Sequence, residues 1–232
     1  MITEMMKHPL GFTKRVFIKK IIQPLKYSRK DDYDSESYWR DRFSKYGTKF
    51  QGAGHDGITE AENIKMYLDA ENIFKEVLER LNFKKIKVLE IGPGSGFYTR
   101  ILKSLGVKDY TAVDITDALF PVLKNKFPDY HFIKQDITKI SFQEKYDLII
   151  MIDVIQHIVN EAKFNNAMAN IKEALNKDGI FILSPITQKS KKHLFYIRWR
   201  NLTDIKKRFP YYPIPQIVKF RGDYLAVIKA SS

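Results

Sequence analysis

The chain has 232 residues, 44% of them apolar and 13% aromatic, and it carries 40 Lys and Arg against 27 Asp and Glu for a net charge of +13. This length and apolar content support one sizeable core with extensions rather than two domains, and the absence of cysteine excludes disulfides, thiolate metal sites and any mechanism that passes through a cysteine adduct. Residues 1–30 carry +7 and 186–232 carry +9, while 31–86 carry −3 and 87–185 are balanced, so an anionic partner or acceptor is expected to meet the ends of the chain.

Met6 to Tyr27 sets Phe12, Val16, Ile18, Ile21, Ile22 and Leu25 among basic residues, a basic amphipathic pattern that Pro24 is expected to end. It suits peripheral contact with a membrane, an acidic partner, or packing on the protein's own body. No signal peptide or membrane span is read, since the most apolar stretch, DLIIMIDVI, is short and interrupted by Asp153. The expected location is cytoplasmic, with at most a peripheral membrane association. ESYWRDRFSKY reads as a short helix with Tyr38, Trp39 and Phe43 on one side. Residues 1–54 thus form a basic extension and helical cap, and 55–232 the main domain. Thr59 is the expected N-cap of the next helix, with Glu62 as its capping-box partner, running to about Leu81. From Lys85 strands alternate with amphipathic helices, which predicts an α/β fold whose mostly parallel sheet is covered on both faces. QKSKKHLFYIRWRNLTDIKKRF, about 186–210, is a basic, aromatic insertion, and IPQIVKF-RGD-YLAVIKA reads as an antiparallel hairpin at the C-terminal end.

Gly92, Gly94 and Gly96 lie between a strand, KIKVLEI, and a helix, where missing side chains let the backbone turn and approach a ligand at the helix N-terminus. A dinucleotide fingerprint requires glycine at 97, where Phe97 stands. Glu90 ends the strand and is expected to aim its carboxylate at the ligand, repelling a pyrophosphate and attracting an ammonium and a sulfonium, as in S-adenosylmethionine. Asp114, at the end of the next strand, is placed to accept the hydroxyls of a ribose, which both candidate cofactors share.

VLEIGPGSGFYT, AVDI, KQDI, YDLIIMIDVIQHI and LNKDGIFIL, in this order over roughly residues 55–185, make the sequence resemble the class I S-adenosylmethionine-dependent methyltransferases. The resemblance implies a Rossmann-like, doubly wound, seven-stranded sheet beneath an N-terminal helical cap, with S-adenosylmethionine as cofactor. It assigns Glu90, Gly92 and Gly94 to the methionine end, Asp114 to the ribose, Asp136 and Ile137 to the adenine and Asp153 to the floor of the site. Pro93, Gly96, Tyr98 and Ile115 complete the cofactor set. Gln156 departs from the glutamate that many relatives carry before the position of His157.

Methyl transfer is an in-line displacement that chiefly requires positioning and exclusion of water. An oxygen acceptor also needs a base, for which His157, with Asp153 beside it, and His55 are the candidates. Tyr38 and Trp39 on the cap, and His193, Tyr196, Arg198 and Arg200 on the insertion, are the candidates for binding an anionic acceptor. The expected function is therefore methylation, at oxygen, of an anionic small-molecule, sugar or lipid-linked acceptor, with no metal. An RNA or protein methyltransferase and a non-catalytic cofactor-binding scaffold are the alternatives. Nucleic acid is the less expected partner, because Ile152-Asp153-Val154-Ile155 replaces the Asn-Pro-Pro-Tyr type motif used on exocyclic base amines.

Overall fold

The computed structural model describes residues 16–55, 57–79, 81 and 85–230; residues 6–15 of the amphipathic pattern lie outside them. Apolar, β-branched runs form the strands β1 (Lys87–Ile91), β2 (Asp109–Asp114), β3 (His131–Lys134), β4 (Tyr146–Ile152) and β5 (Leu175–Ile186). A ribbon, β6 (Lys191–Leu194) and β7 (Ile197–Trp199), precedes the final hairpin, β8 (Gln216–Phe220) and β9 (Asp223–Lys229). The main sheet has seven strands in the order β3-β2-β1-β4-β5-β9-β8. β1 to β5 pair in parallel, and β9 runs antiparallel to both β5 and β8. This is the expected doubly wound sheet with its C-terminal hairpin.

Each face of the sheet buries its own helices. Alternation along β1 sends Val88 to the face packed by α4 (Glu60–Leu78), α5 (Phe97–Ser104) and α6 (Phe120–Lys126), where Phe74, Leu78, Ile101 and Leu123 are buried. Leu89 and Ile91 point to the other face, against Phe164, Met168 and Ile171 of α7 (Glu161–Ala174) and Ile205 of α8 (Leu202–Arg208). The capping box of Thr59 and Glu62 starts α4 as expected, and the helix ends at Leu78.

A helical layer lies over the C-terminal ends of the central strands. A π-helical turn, Ile18–Ile22, leads directly into α1 (Gln23–Tyr27). Pro24, expected to end the amphipathic pattern, instead sits in the first turn of α1, directly after the π-helical turn, and the helix continues through it. Asp34 caps α2 (Ser35–Tyr46) by accepting from the Ser37 N–H, and the short α3 (Phe50–Ala53) follows. Arg42 of α2 donates to the carbonyls of Gly52 (2.6 Å), Gln51 (2.8 Å) and Gly54 (3.0 Å), fixing α3 to α2. Among the described residues no helix is long and apolar enough to cross a membrane.

Candidate active site

The loop after β1 is shaped by what it lacks. Gly92 has φ +72°, and a Cβ there would fall 2.3 Å from Cγ2 of Val154, so the loop after β4 can pass close only because position 92 has no side chain. The loop and the ends of β1, β2 and β4 border an open cleft. Gly92, Pro93, Gly94 and Tyr98 form one wall, and Asp114, Ile115, Asp136 and Ile137 another. Asp153 and His157 lie at the remaining end, with Trp39 and Phe43 of α2 and Ala53 of α3. A Cβ on Gly94 would stand 3.2 Å from the Ala53 methyl, so the cap closes directly on the loop. Gly96 does not border the cleft. A Cβ there would meet Leu123 of α6 at 2.7 Å, and its glycine serves helix packing instead.

Glu90 corrects the expectation most sharply. It shares the parity of Val88, so its side chain turns into the face occupied by α5 and lies outside the cleft. It accepts there from the Thr99 hydroxyl (2.8 Å) and the Tyr110 hydroxyl (2.5 Å). Burial raises its pKa to about 7 against the opposing effect of those two donors. Glu90 ties β1, β2 and α5 together and does not line the cleft.

Asp114 borders the cleft, and its Oδ1 accepts from the Thr116 N–H at 3.1 Å. Burial lifts its pKa to about 7, the mark of a carboxylate removed from water without a cation. Asp136 also borders the cleft, but its Oδ1 accepts from the Thr138 N–H (2.9 Å) and hydroxyl (2.7 Å), and Lys139 stands 3.5 Å from Oδ2. Its carboxylate therefore shapes its own turn, and Ile137 offers an apolar surface beside it.

At the other end, Asp153 has a left-handed backbone (φ +60°) and pairs through Oδ2 with Nη1 of Arg221. Arg221 belongs to the β8–β9 turn, where positive φ at Arg221 and Gly222 describes a type I′ hairpin. Its guanidinium lies 4.1 Å over the Tyr67 ring. His157 ends the 3₁₀ turn Ile155–His157. Its Nδ1 lies 2.9 Å from the Tyr196 carbonyl, and since a carbonyl can only accept, Nδ1 carries the proton and Nε2 keeps the lone pair. Burial lowers the imidazole pKa to about 4, so the ring is neutral at physiological pH.

Several other expected site residues are engaged elsewhere. His55 is exposed and outside the cleft, and its backbone is tied to the Asn63 amide. Tyr38 and Tyr196 are buried with Tyr27 and Tyr33 in an aromatic cluster that joins the cap to the ribbon, stacked on each other at 4.7 Å. His193 is exposed and stacks on Trp199. Arg198 and Arg200 do not reach the cleft, because Glu161 holds both, at 3.1 and 2.7 Å, together with Arg208 at 2.7 Å. Arg200 is 2% exposed and lies 3.9 Å over the Phe164 ring. Of the expected acceptor residues, Trp39 borders the cleft.

Residues that the sequence did not single out complete the cleft. Asp32 and Lys163, both lining it, form a 2.5 Å ion pair, and outside it Lys134 reaches Glu36 of α2 at 2.6 Å. Tyr67 and Arg221 support Asp153 from behind. The sequence places Arg221 in a hairpin turn but gives no sign of its partner, which lies 68 residues away.

Residues 89–183 match the family model described as a methyltransferase domain. The chain is 33% identical over 117 residues to the ribosomal protein L11 methyltransferase of Dictyoglomus turgidum, covering 49% of this chain and 37% of that one. It is 27% identical over 137 residues to the ubiquinone biosynthesis O-methyltransferase of Rickettsia typhi, covering 56% and 54%. The chain thus spans about half or less of the length of these two relatives. The magnesium protoporphyrin IX methyltransferase of Synechocystis PCC 6803, solved with bound SAH, superposes with a TM-score of 0.63 at 16% identity, covering 84% of this chain and 99% of that one. The Burkholderia thailandensis 1,6-didemethyltoxoflavin-N1-methyltransferase superposes at 0.59 and 16% identity, over 85% and 90%.

The residues present fit S-adenosylmethionine. Asp114 is a desolvated carboxylate at a strand end, to which a ribose diol would supply two donors, and Ile115 and Ile137 offer flat apolar contact for a base. Pro93, Gly94 and Tyr98 would receive the amino-acid end under Ala53. Domain match, sheet order and cleft agree: residues 89–183 form a methyltransferase domain, and the chain has the fold of the class I S-adenosylmethionine-dependent methyltransferases.

Proposed function

We propose that the protein methylates a hydroxyl of a small, largely apolar acceptor, aromatic or lipid-like, with His157 as general base. Bound in the cleft, S-adenosylmethionine supplies an electrophilic methyl group. The observation that carries this reading is the tautomer of His157: the Tyr196 carbonyl holds the proton on Nδ1, so Nε2 is available to take the acceptor's proton. Trp39 meets the imidazole edge-on at 4.7 Å and, with Phe43 and Tyr67, lends the acceptor end of the cleft aromatic walls that exclude water. The pairing of Arg221 with Asp153 fixes the floor on which the acceptor rests.

An anionic acceptor loses its support in this arrangement, because Arg198 and Arg200 are occupied by Glu161 and Lys163, at the rim, is paired with Asp32. A macromolecular acceptor is the second reading. It is favoured by the exposed basic residues Lys189, Lys191 and Lys192 at the ribbon and by the ribosomal protein L11 methyltransferase among the relatives. Turnover of labelled cofactor on the lipid and small-molecule fraction of an extract, against its RNA and protein fractions, separates the two. With the acceptor so found, His157→Ala is expected to lower kcat by about 10²–10³-fold while leaving the dissociation constant for S-adenosylhomocysteine within about twofold. A variant that retained half the wild-type kcat would remove His157 from the chemistry.

A further inference from the structure

The N-terminal helix shows the solvent the side that such helices usually hide. Phe17, Ile21 and Leu25 recur at the spacing of one helical turn and are 52, 46 and 80% exposed, with Ile22 beside them at 46%. The helix is attached by its other side. Tyr27 is buried edge-on against Tyr38 at 5.4 Å, and the Tyr27 hydroxyl (2.7 Å) and Lys26 ammonium (2.6 Å) both reach Asp41 of α2. An amphipathic helix in a globular fold normally turns its apolar stripe inward; here a polar clasp holds the helix and, among the described residues, none covers the stripe. Lys20 and Lys26 are exposed on its flanks. Between the helix and α2 lies a second cavity whose walls include Lys19, Lys26, Arg42 and Lys45 against Asp41. Gln23 and Tyr38 also line it, and Gln23 Oε1 and the Tyr38 hydroxyl are buried without a hydrogen-bond partner.

We propose that this face docks on an anionic lipid bilayer, with Phe17, Ile21, Ile22 and Leu25 entering the acyl boundary and a lipid phosphate drawn to the cationic cavity behind them. Charge selects the occupant. A second copy placed on the same face would set Lys19, Lys20, Lys26, Arg29 and Lys30 against their own copies, whereas an anionic surface is attracted by those residues as it takes up the apolar stripe. The chain runs from α1 straight into Asp32, Tyr33 and Ser35, which border the catalytic cleft, so docking brings the mouth of the cleft to the membrane surface. An acceptor dissolved in the bilayer is the substrate class this orientation serves. That last step rests on the methyltransferase reading, while the docking itself does not.

The test is co-sedimentation of the full chain, with S-adenosylhomocysteine present, on phosphatidylcholine vesicles with and without about 30% phosphatidylglycerol. Binding is expected at least about tenfold tighter to the anionic vesicles and weakened by added salt. Ile21→Asp combined with Leu25→Asp should abolish it, and Lys45→Glu should reduce the preference for phosphatidylglycerol; in both, affinity for S-adenosylhomocysteine should be unchanged. A wild-type chain that stays in the supernatant at low salt, or an Ile21→Asp/Leu25→Asp variant that binds as well as wild type, overturns the proposal. So does a double variant that dissociates a wild-type dimer on a sizing column when neither protein binds vesicles. Intact vesicle binding without any uptake of S-adenosylhomocysteine would keep the docking and sink the methyltransferase reading.

Discussion

The glycine loop and the β6–β7 ribbon support opposite ends of the same cleft by opposite means. At Gly92 the wall exists because a side chain is missing, and Val154 fills the space a Cβ would need. At the ribbon large charged side chains are gathered on Glu161, which holds Arg198, Arg200 and Arg208 and so steadies the segment whose Tyr196 carbonyl orients His157. The first support is steric and indifferent to salt and pH. The second is electrostatic and fails when one carboxylate is lost.

The comparison breaks most visibly at the loop. Gly92→Ala combines a left-handed φ with a 2.3 Å contact to a β-branched side chain, and it is expected to weaken S-adenosylhomocysteine binding by about 100-fold or more in calorimetry. Adding Val154→Ala should restore a tenth or more of the lost affinity. No recovery would mean that backbone strain alone, without the contact, sets the requirement.

Glu161→Ala tests the other support. It leaves the buried Arg200 guanidinium without its counter-ion, and the expected loss of stability is on the order of 2–3 kcal/mol, below the range for fully buried pairs because the Glu161 side chain is 40% exposed. A lowered melting temperature and a reduced kcat should accompany a nearly unchanged affinity for S-adenosylhomocysteine. Burial works against ionisation of Glu161, but Arg200 and its neighbours hold the carboxyl below its usual range. Its contribution is therefore present above the unfolded-state pKa and is lost as pH falls through the lower, folded-state value.

The smallest effect sharpens the contrast at the cofactor end. Asp114 has its pKa raised to about 7, and two ribose hydroxyls are best accepted by the ionised form, so binding should release a proton. Affinity for S-adenosylhomocysteine is expected to rise by up to about tenfold from pH 6 to pH 8, and Asp114→Asn should flatten that profile. In the free protein the sign is reversed. A carboxyl whose folded pKa is raised favours the folded state at low pH, and this contribution is lost as pH rises through about 4 to 7.

The sheet, its order of helices and the glycine loop were legible because each is a local pattern: alternation, capping and missing side chains all act within a few residues. That Gly92, Asp114, Asp136 and Ile137 border one cleft was legible for the same reason, since strand ends and the loops after them are positioned by the sheet itself. Glu90 was misread although its own strand held the answer, because the parity it shares with Val88 sends it toward Tyr110 and Thr99 and away from the cleft. Arg198 and Arg200 could not be read at all. Their charges look free in the sequence, and the carboxylate that neutralises them lies on a helix 39 residues earlier for Arg200. A basic residue next to aromatics says that a charge exists, and only the folded chain says whether it is already spent. Arg221 was placed correctly in a hairpin turn, but its pairing with Asp153, 68 residues away, was hidden for the same reason.

That pairing has a consequence for the order of assembly. The aspartate at the floor of the cleft comes from the fourth strand, and its partner from the turn before the last one, so the pocket's base is finished only when the final hairpin has docked against β5. A nascent chain still lacking that hairpin holds every residue of the glycine loop and the ribose acid, yet has no settled floor. The base of the pocket is set only once β8 and β9 have closed that edge of the sheet.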